Sequence, residues 1–228
     1  MSIAERPTMN LDEAIRLRRS VRGFLPREVP QETLREVFAL AQFAPSNCNV
    51  QPWTPHVVSG DKLRRLREAL VAAGMRDEPI KPDWPADGKF VGIYRERQVG
   101  AAQALYGAMG VVRNDTVGRK LAYIRNHAFF DAPHAVLIFM QEPFDTREAT
   151  DIGMYAQTLM LALTARGIGS CAQGALGLFP DIVREQLAIP SNFKLLFGIS
   201  FGYEDNEVKA NGARVERAQV DDVVHFHR

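Results

Sequence analysis

A cluster of cations around one hydroxyl lies near the start of the sequence, where Arg18, Arg19 and Arg22 surround Ser20. Cations so close together repel one another unless something negative lies between them. Arginine suits phosphate because its planar fork donates two parallel hydrogen bonds, and Ser20 adds a further donor. A solvated basic patch is the alternative, but the neighbouring apolar residues favour a half-buried surface. The cluster therefore predicts a clamp for the phosphate of a cofactor.

Two other segments have the composition of ligand-binding loops. The loop PSNCNVQPW at 45–53 contains three amides within five residues, at Asn47, Asn49 and Gln51. Amides supply both donors and acceptors, as recognition of a heterocycle or a polyol requires, although an irregular helix-to-strand connection is the alternative. The run GIGSCAQGAL at 167–176 offers glycine-rich backbone that can approach a flat ligand closely. It does not fit the dinucleotide fingerprint, because its GxG follows a helix and its third glycine is misplaced.

The sequence lacks the spacings of metal and nucleophile sites. His127, Asp131 and His134 lie close together, and so do His225 and His227, but neither set has a recognised metal spacing. No GxSxG motif occurs, and neither cysteine has the context of a catalytic nucleophile. We therefore predict neither a metal nor a covalent catalytic residue.

The overall charge and the cysteines narrow the class of protein. The chain has 228 residues, with 28 Lys and Arg against 27 Asp and Glu, so its net charge of +1 gives no general attraction to nucleic acid or anionic lipid. The longest uncharged apolar stretch, 152–165, is too short to span a bilayer. Cys48 and Cys171 have no CxxC spacing, which favours a reducing compartment, and we expect the cytoplasm.

The first half of the chain predicts helices around one short strand. A helix begins at the cap residue Asn10 and runs towards Arg18, and a second covers 31–43. A strand around 56–58 is expected at the edge of a sheet because Pro55 precedes it, and a helix at 61–73 follows. The proline-rich stretch 74–89 predicts an ordered surface loop or lid.

The second half predicts the centre of the fold. Two helical segments lie before and after Asn114, and the apolar run at 135–139 is expected to be a strand buried on both faces. A long apolar helix at 150–166 ends at a glycine, and a short helix at 181–187 precedes a strand at 194–203. We expect a single domain over 1–228, with a lid or insertion at about 74–125.

Four motifs in register resemble the FMN-dependent nitroreductase family across nearly the whole chain: RRSVRGF, APSNCNVQPW, GIGSCAQGAL and NGARVERAQVDDVV. The middle stretch LYGAMGVVRND with FFDAP resembles the branch of nitrobenzoate and nitroaromatic reductases. The resemblance implies an α+β fold, with a mostly antiparallel central sheet flanked by helices, in an intertwined homodimer. Two FMN molecules are then expected in the subunit interface.

The resemblance also implies which residues bind the cofactor. The phosphate and ribityl end is expected to contact a polar set: Arg18, Arg19, Ser20, Arg22, Arg214 and Arg217. The other subunit is expected to contribute Pro45, Ser46, Asn47 and Asn49. The isoalloxazine ring is expected to lie against Ala172, Gln173 and Gly174, where a backbone N–H near N5 tunes hydride acceptance. Asn126 is expected at the pyrimidine edge, and Val215 stands where some family members have a lysine.

The function implied is reduction of nitroaromatic or similarly flat, electron-poor compounds. NAD(P)H delivers hydride to flavin N5, leaves, and is replaced by the substrate in a ping-pong cycle, with no side chain required as acid or base. Candidates to line the open face are aromatic: Trp84, Tyr94, Phe129 and Phe130. Reductive dehalogenation or ene reduction on the same fold is one alternative, to be decided by the segment 74–94. A flavin protein that stores, senses or passes electrons is another, and a helical dimer without cofactor is the third.

Overall fold

The computed structural model describes residues 9–85 and 88–228, and its centre is a four-stranded antiparallel sheet in the order β1-β2-β4-β3. The strands are β1 (Trp53–Ser59), β2 (His134–Gln141), β3 (Gly169–Gln173) and β4 (Phe193–Gly202). Each neighbouring pair is antiparallel, and β4 shifts register against β2 at Ile138 and Phe139. The predicted antiparallel α+β architecture is confirmed.

Helices cover both faces of this sheet. The described residues form α1 (Leu11–Leu17), α2 (Gln31–Ala41), α3 (Gly60–Met75), α4 (Gly92–Met109), α5 (Thr116–His127), α6 (Thr146–Thr164) and α7 (Pro180–Leu187). On one face of β2, Val136 and Ile138 pack with apolar residues of α2 and α6. On the other face, Leu137 and Phe139 pack with α3 and α7. Because successive strand residues point to opposite faces, β2 is buried on both, as its apolar sequence predicts.

Local chemistry sets several element boundaries. Pro55 lies in β1 at the edge of the sheet, where a missing N–H costs no ladder bond on the open side. Helix α6 begins at Thr146, four residues before the predicted start, because Asp145 and Glu148 form a capping box. Helix α2 ends at Ala41 rather than at 43. Strand β3 was not predicted from the sequence, because its small residues form a strand only through their pairing with β4.

The stretch predicted as a surface loop or lid lies between α3 and α4, and its role as a lid stays a prediction. Helix α3 ends at Met75, and the chain is irregular up to α4, which begins at Gly92; residues 86 and 87 lie outside the described residues. The loop is fastened at Asp83, whose carboxylate accepts from Arg184 Nη1 at 2.6 Å and from the Leu195 N–H at 2.7 Å. This part of the stretch is therefore fixed against α7 and β4.

Within residues 9–85 and 88–228, no helix has the combination of length and hydrophobicity that crossing a membrane requires.

Candidate cofactor site

The segment that follows α1 lies along the free edge of β3. Asn10 caps the helix by accepting from the Glu13 N–H at 2.9 Å, and the chain leaves the helix at Arg18. Ser20 then forms a parallel bridge with Ser170 of β3, and the Val21 N–H donates to the Ser170 carbonyl at 3.0 Å. The predicted anion-binding residues are thereby fixed beside the glycine-rich run.

Four arginines of the predicted clamp lack a carboxylate partner. Among the described residues, no Asp or Glu forms an ion pair with Arg18, Arg22, Arg214 or Arg217, which we call the clamp arginines. Burial, and then the nearby charge of Arg217, lower the pKa of the Arg18 guanidinium from its ordinary value. A bound anion would offset both effects, because an opposite charge favours the charged form.

Arg19 differs from the clamp arginines. Its Nη2 lies 2.5 Å from both carboxylate oxygens of Glu204, and its Nη1 donates to the Asn211 carbonyl at 3.2 Å. Both side chains are less than a third exposed, so the pair is partly shielded from water. The charge of Arg19 is therefore already balanced within the chain, in contrast to the prediction that all three early arginines surround one anion.

The C-terminal segment reaches the same place. Arg214 Nη1 donates to the Asn211 carbonyl at 2.7 Å, and Asn211 itself contacts the backbone of Arg22. The absence of a side chain at Gly23 lets the C-terminal segment pack closely here, because a Cβ at Gly23 would lie 2.4 Å from Val208 Cβ. Asn211 was not predicted as a site residue, since a buried asparagine in a polar tail has no distinctive sequence pattern.

A second missed residue supports the segment from α5. Arg125 Nη2 donates to the Arg22 carbonyl at 3.0 Å and lies 3.6 Å from an Asp131 carboxylate oxygen. The basic residues in the last turn of α5 were visible in the sequence, but their partner is more than 100 positions away.

The free edge of β3 offers backbone groups rather than side chains. Ala172 is exposed, whereas the neighbouring Cys171 and Gln173 are buried. Ser170 turns its carbonyl to the outer edge, and backbone direction alternates along a strand, so the amide of Ala172 points to that edge too. Burial raises the pKa of the Cys171 thiol, against the opposing effects of Arg22, a hydrogen bond with Ser20, and Arg18. The cations thus lie directly beside this strand.

A buried amide holds the end of β3 in place. Gln173 Oε1 accepts from the Ser200 hydroxyl at 2.5 Å, and its Nε2 donates to the Asn126 carbonyl at 3.0 Å. Asn126 Nδ2 donates to the Tyr123 carbonyl at 3.1 Å, so this amide also bonds within the chain. The side chain of Gln173 therefore faces the core, and contact of Asn126 with a flavin stays a prediction.

The amide-rich loop is exposed over residues 47–51, and hydrogen bonds within the loop and to α6 shape it. Ser46 Oγ accepts from the Gln51 N–H at 3.0 Å, and the Asn47 N–H donates to Asp151 Oδ2 at 3.0 Å. Asn49 is exposed and has a φ of 56°, in the left-handed region that asparagine tolerates. Pro45 is exposed as well. Contact of this loop with a cofactor in a second subunit stays a prediction.

The four predicted substrate-facing aromatics separate into two groups. Phe129 and Phe130 are core residues, at 0% and 4% exposure, and their placement disagrees with an open face. The apolar sequence around them could not distinguish a lining residue from a core residue. Tyr94 on α4 is 61% exposed. Trp84 and Gly174 line a cavity of about 420 Å³, together with prolines of the 82–85 segment.

No three His, Cys, Asp or Glu side chains gather into a possible metal site in the part of the chain that the structure describes.

Comparisons with known proteins agree along almost the whole chain. A sequence model of the Nitroreductase family matches residues 15–203. The nitroreductase NfnB of Mycolicibacterium smegmatis is 44% identical over 227 residues, which cover 97% of this chain and 96% of that protein. A 4-nitrobenzoate reductase of a Nocardioides strain is 35% identical over 222 residues, covering 94% and 89%.

A solved structure extends the likeness to the fold. The crystal structure of the FMN-dependent nitroreductase NfnB from Mycobacterium smegmatis in complex with NADPH superposes with a TM-score of 0.91. It is 44% identical, and the alignment covers 95% of this chain and 97% of that one. The resemblance that the four motifs predicted, including that to nitrobenzoate reductases, is confirmed. Because the family match covers most of the chain and relatives align along nearly all of it, the chain belongs to the nitroreductase family.

Proposed function

We propose that this protein is an FMN-dependent NAD(P)H oxidoreductase that reduces nitroaromatic or similarly flat, electron-poor compounds. One observation carries the proposal: Arg18 and Arg22, which have no carboxylate partner in the described residues, lie beside the exposed edge of β3. Arg217 lies near Arg18, and Asn211 links Arg214 to the backbone of Arg22. Relatives named as a nitroreductase and a 4-nitrobenzoate reductase support the reaction class. The FMN and NADPH named for the similar crystal structure support the cofactor and the reductant.

The residues present fit FMN at both of its ends. Its phosphate is doubly charged, and arginine guanidinium groups bind such an anion through paired hydrogen bonds. Arg18 and Arg22 flank Ser20, and Arg217 lies close enough to Arg18 to affect its pKa. The flat ring needs a surface without bulky side chains, which the exposed Ala172 and Gly174 provide. Ala172 can then donate its backbone N–H to the ring edge.

The protein groups do not need to react covalently. When bound, FMN accepts hydride from NAD(P)H and gives it to the second substrate. This chain's residues fix the ring: Gln173 and Ser200 hold β3 from behind, and the clamp arginines neutralise the phosphate. The two substrates use the same open face in turn, since the sequence has no separate nicotinamide fingerprint. Trp84 and Tyr94 are the aromatic candidates kept for that face.

We also propose a homodimer in which the 45–53 loop of one subunit reaches the FMN of the other. Residues 47–51 of the loop are exposed in the single chain, and large apolar side chains are exposed beside it and on α4, such as Phe43 at 85% and Tyr94 at 61%. Exposed apolar surface of this kind marks interaction sites. We propose the cytoplasm as the location, because the two cysteines are free, as in a reducing compartment.

The first experiment is an absorption spectrum of the purified full chain, followed by anaerobic NADPH and then 4-nitrobenzoate. Flavin bands that bleach with NADPH and return with the nitro compound are the expected result. A protein that binds no added FMN would contradict the proposal. Bleaching without return on any nitroaromatic would favour the electron-carrier alternative, and return only with a haloaromatic or an enone would favour dehalogenation or ene reduction.

A substitution tests the clamp. Arg22→Ala removes one charged donor, and we expect FMN binding to weaken by about 2 kcal/mol, roughly thirtyfold in Kd. Arg64→Ala on α3 is the matched control, because Arg64 pairs only with exposed carboxylates. Fluorescence titration gives both affinities, and equal Kd values for the two variants would remove Arg22 from the clamp.

A further inference from the structure

The side chain of Asn211 joins the two segments that carry the clamp arginines. It is 4% exposed, and all of its polar positions are used. Oδ1 accepts from the Arg22 N–H at 2.6 Å, and Nδ2 donates to the carbonyl oxygens of Gly23 and Asp205, each at 2.9 Å. A short amide offers one acceptor and two donors in so small a space, which a hydroxyl or a carboxylate does not. The N-terminal arginine segment is thereby fixed to the C-terminal one.

The backbone of the same residue orients two guanidinium groups. The Asn211 carbonyl accepts from Arg214 Nη1 at 2.7 Å and from Arg19 Nη1 at 3.2 Å. Arg19 is held from its other amino group by Glu204. Arg19, Glu204 and Asn211 therefore form one connected unit, which we call the Asn211 brace. The charge of Arg19 is paired with Glu204 within this unit, whereas the clamp arginines have no carboxylate partner in the described residues.

We propose that Asn211 is a positioning residue for the cofactor phosphate, and that Arg19 supports the clamp through the Asn211 brace rather than as one of its charged donors. The inference rests on the proposed FMN function. Asn211 acts through the Arg22 backbone and the Arg214 guanidinium and does not itself need to touch the phosphate. Charges fixed in advance bind an anion more tightly than charges that must first be ordered.

Loss of the amide has a definite consequence. Without it, the Arg22 N–H loses its acceptor, and the Gly23 carbonyl keeps the Asp205 N–H, at 3.1 Å, but loses the Asn211 amide. The Arg19–Glu204 ion pair and the bridge between Phe24 and Glu204 still join the two segments, but neither of them bonds to the Arg22 N–H. The like charges of the clamp then favour separation of the segments. The effect on a ligand with a phosphate should therefore exceed the effect on the same ligand without one.

The test compares FMN with riboflavin, which has the same ring and ribityl chain but no phosphate. Both are titrated by fluorescence into the deflavinated full chain, and the Kd of riboflavin is divided by the Kd of FMN. Both ligands need folded protein, so partial unfolding of a variant cancels in this ratio. Asn211→Ala is compared with wild type and with Asn192→Ala, a matched control whose side chain is outside the clamp.

We expect Asn211→Ala to lower the ratio about tenfold, the factor expected when one hydrogen bond between a displaced arginine and the charged phosphate is lost, while Asn192→Ala leaves the ratio unchanged. Asn211→Ser replaces the amide with one hydroxyl, which can make some of the lost hydrogen bonds, and should give an intermediate ratio; it serves in case the alanine variant fails to fold. A wild-type ratio that persists in both Asn211 variants would overturn the inference alone. A wild-type ratio near one would overturn the phosphate clamp, and the inference with it.

Discussion

Substitution of Asp83 tests how the loop before α4 is held. The Asp83 carboxylate is 8% exposed, and its Oδ2 accepts from both Arg184 Nη1 at 2.6 Å and the Leu195 N–H at 2.7 Å. Asp83→Ala leaves both donors without this acceptor in a buried place. Removal of one partner of a buried ion pair costs about 3–5 kcal/mol. Arg184 keeps Asp181 and a carbonyl, so we expect the lower end, about 3 kcal/mol.

The chain supplies a matched control at the same arginine. Asp181 also lies 2.6 Å from Arg184, but its side chain is 75% exposed, and exposed pairs contribute about 1 kcal/mol or less. Urea unfolding of the FMN-bound protein measures both variants, with an unchanged m-value as the check on two-state behaviour. Equal free energies of unfolding for Asp83→Ala and Asp181→Ala would refute the reasoning from burial.

The same variant tests what the loop does for substrate. Trp84 follows Asp83 directly and lines the cavity that also borders Gly174. If the ion pair holds this wall, Asp83→Ala should raise KM for a nitroaromatic while leaving FMN occupancy close to that of Asp181→Ala. Loss of FMN in proportion to activity would mean that the segment supports the whole site rather than its substrate face.

Two further predictions concern buried positions: the effect of pH on stability through His127, and the effect of a methyl group added at Gly23. Burial, with a smaller effect of Lys120, lowers the pKa of His127 from its ordinary value to about 4. Below about pH 6.5 this histidine binds a proton in the unfolded chain but stays neutral in the folded protein. The free energy of unfolding therefore decreases as the pH is lowered, by about 1 kcal/mol between pH 7 and 5.5. Urea titrations at several pH values measure this effect. If the free energy of unfolding of His127→Leu decreased with decreasing pH as steeply as that of wild type, His127 would not be its origin. Gly23→Ala should cost about 1–3 kcal/mol and weaken FMN binding, because the new methyl group meets Val208. The double variant with Val208→Gly, which removes the Cβ and both γ-methyl groups that the new methyl would meet, should recover much of both, and no recovery would locate the clash elsewhere.

The elements that were predicted correctly are those whose own sequence pattern determines their structure. The uninterrupted apolar run of β2 can be satisfied only by cover on two faces, and the fold supplies it with α2 and α6 on one side and α3 and α7 on the other. Pro55 gave the edge position of β1 for an equally local reason. β3 has no such pattern, because its small residues acquire strand geometry from β4. Its existence depends on a partner that is distant in sequence.

The candidate site likewise has features that the local sequence predicts and features that depend on distant contacts. A run of arginines around a serine is legible because the residues are neighbours, and their charges alone indicate an anion. Whether each arginine is free for that anion depends on contacts across the chain: Arg19 meets Glu204 185 positions away, and Arg22 meets Asn211 189 positions away. The local sequence therefore predicts an anion-binding site. Arginines that are available to an anion and arginines that hold the surrounding segments in place have the same local sequence. Only their long-range hydrogen bonds distinguish the two kinds.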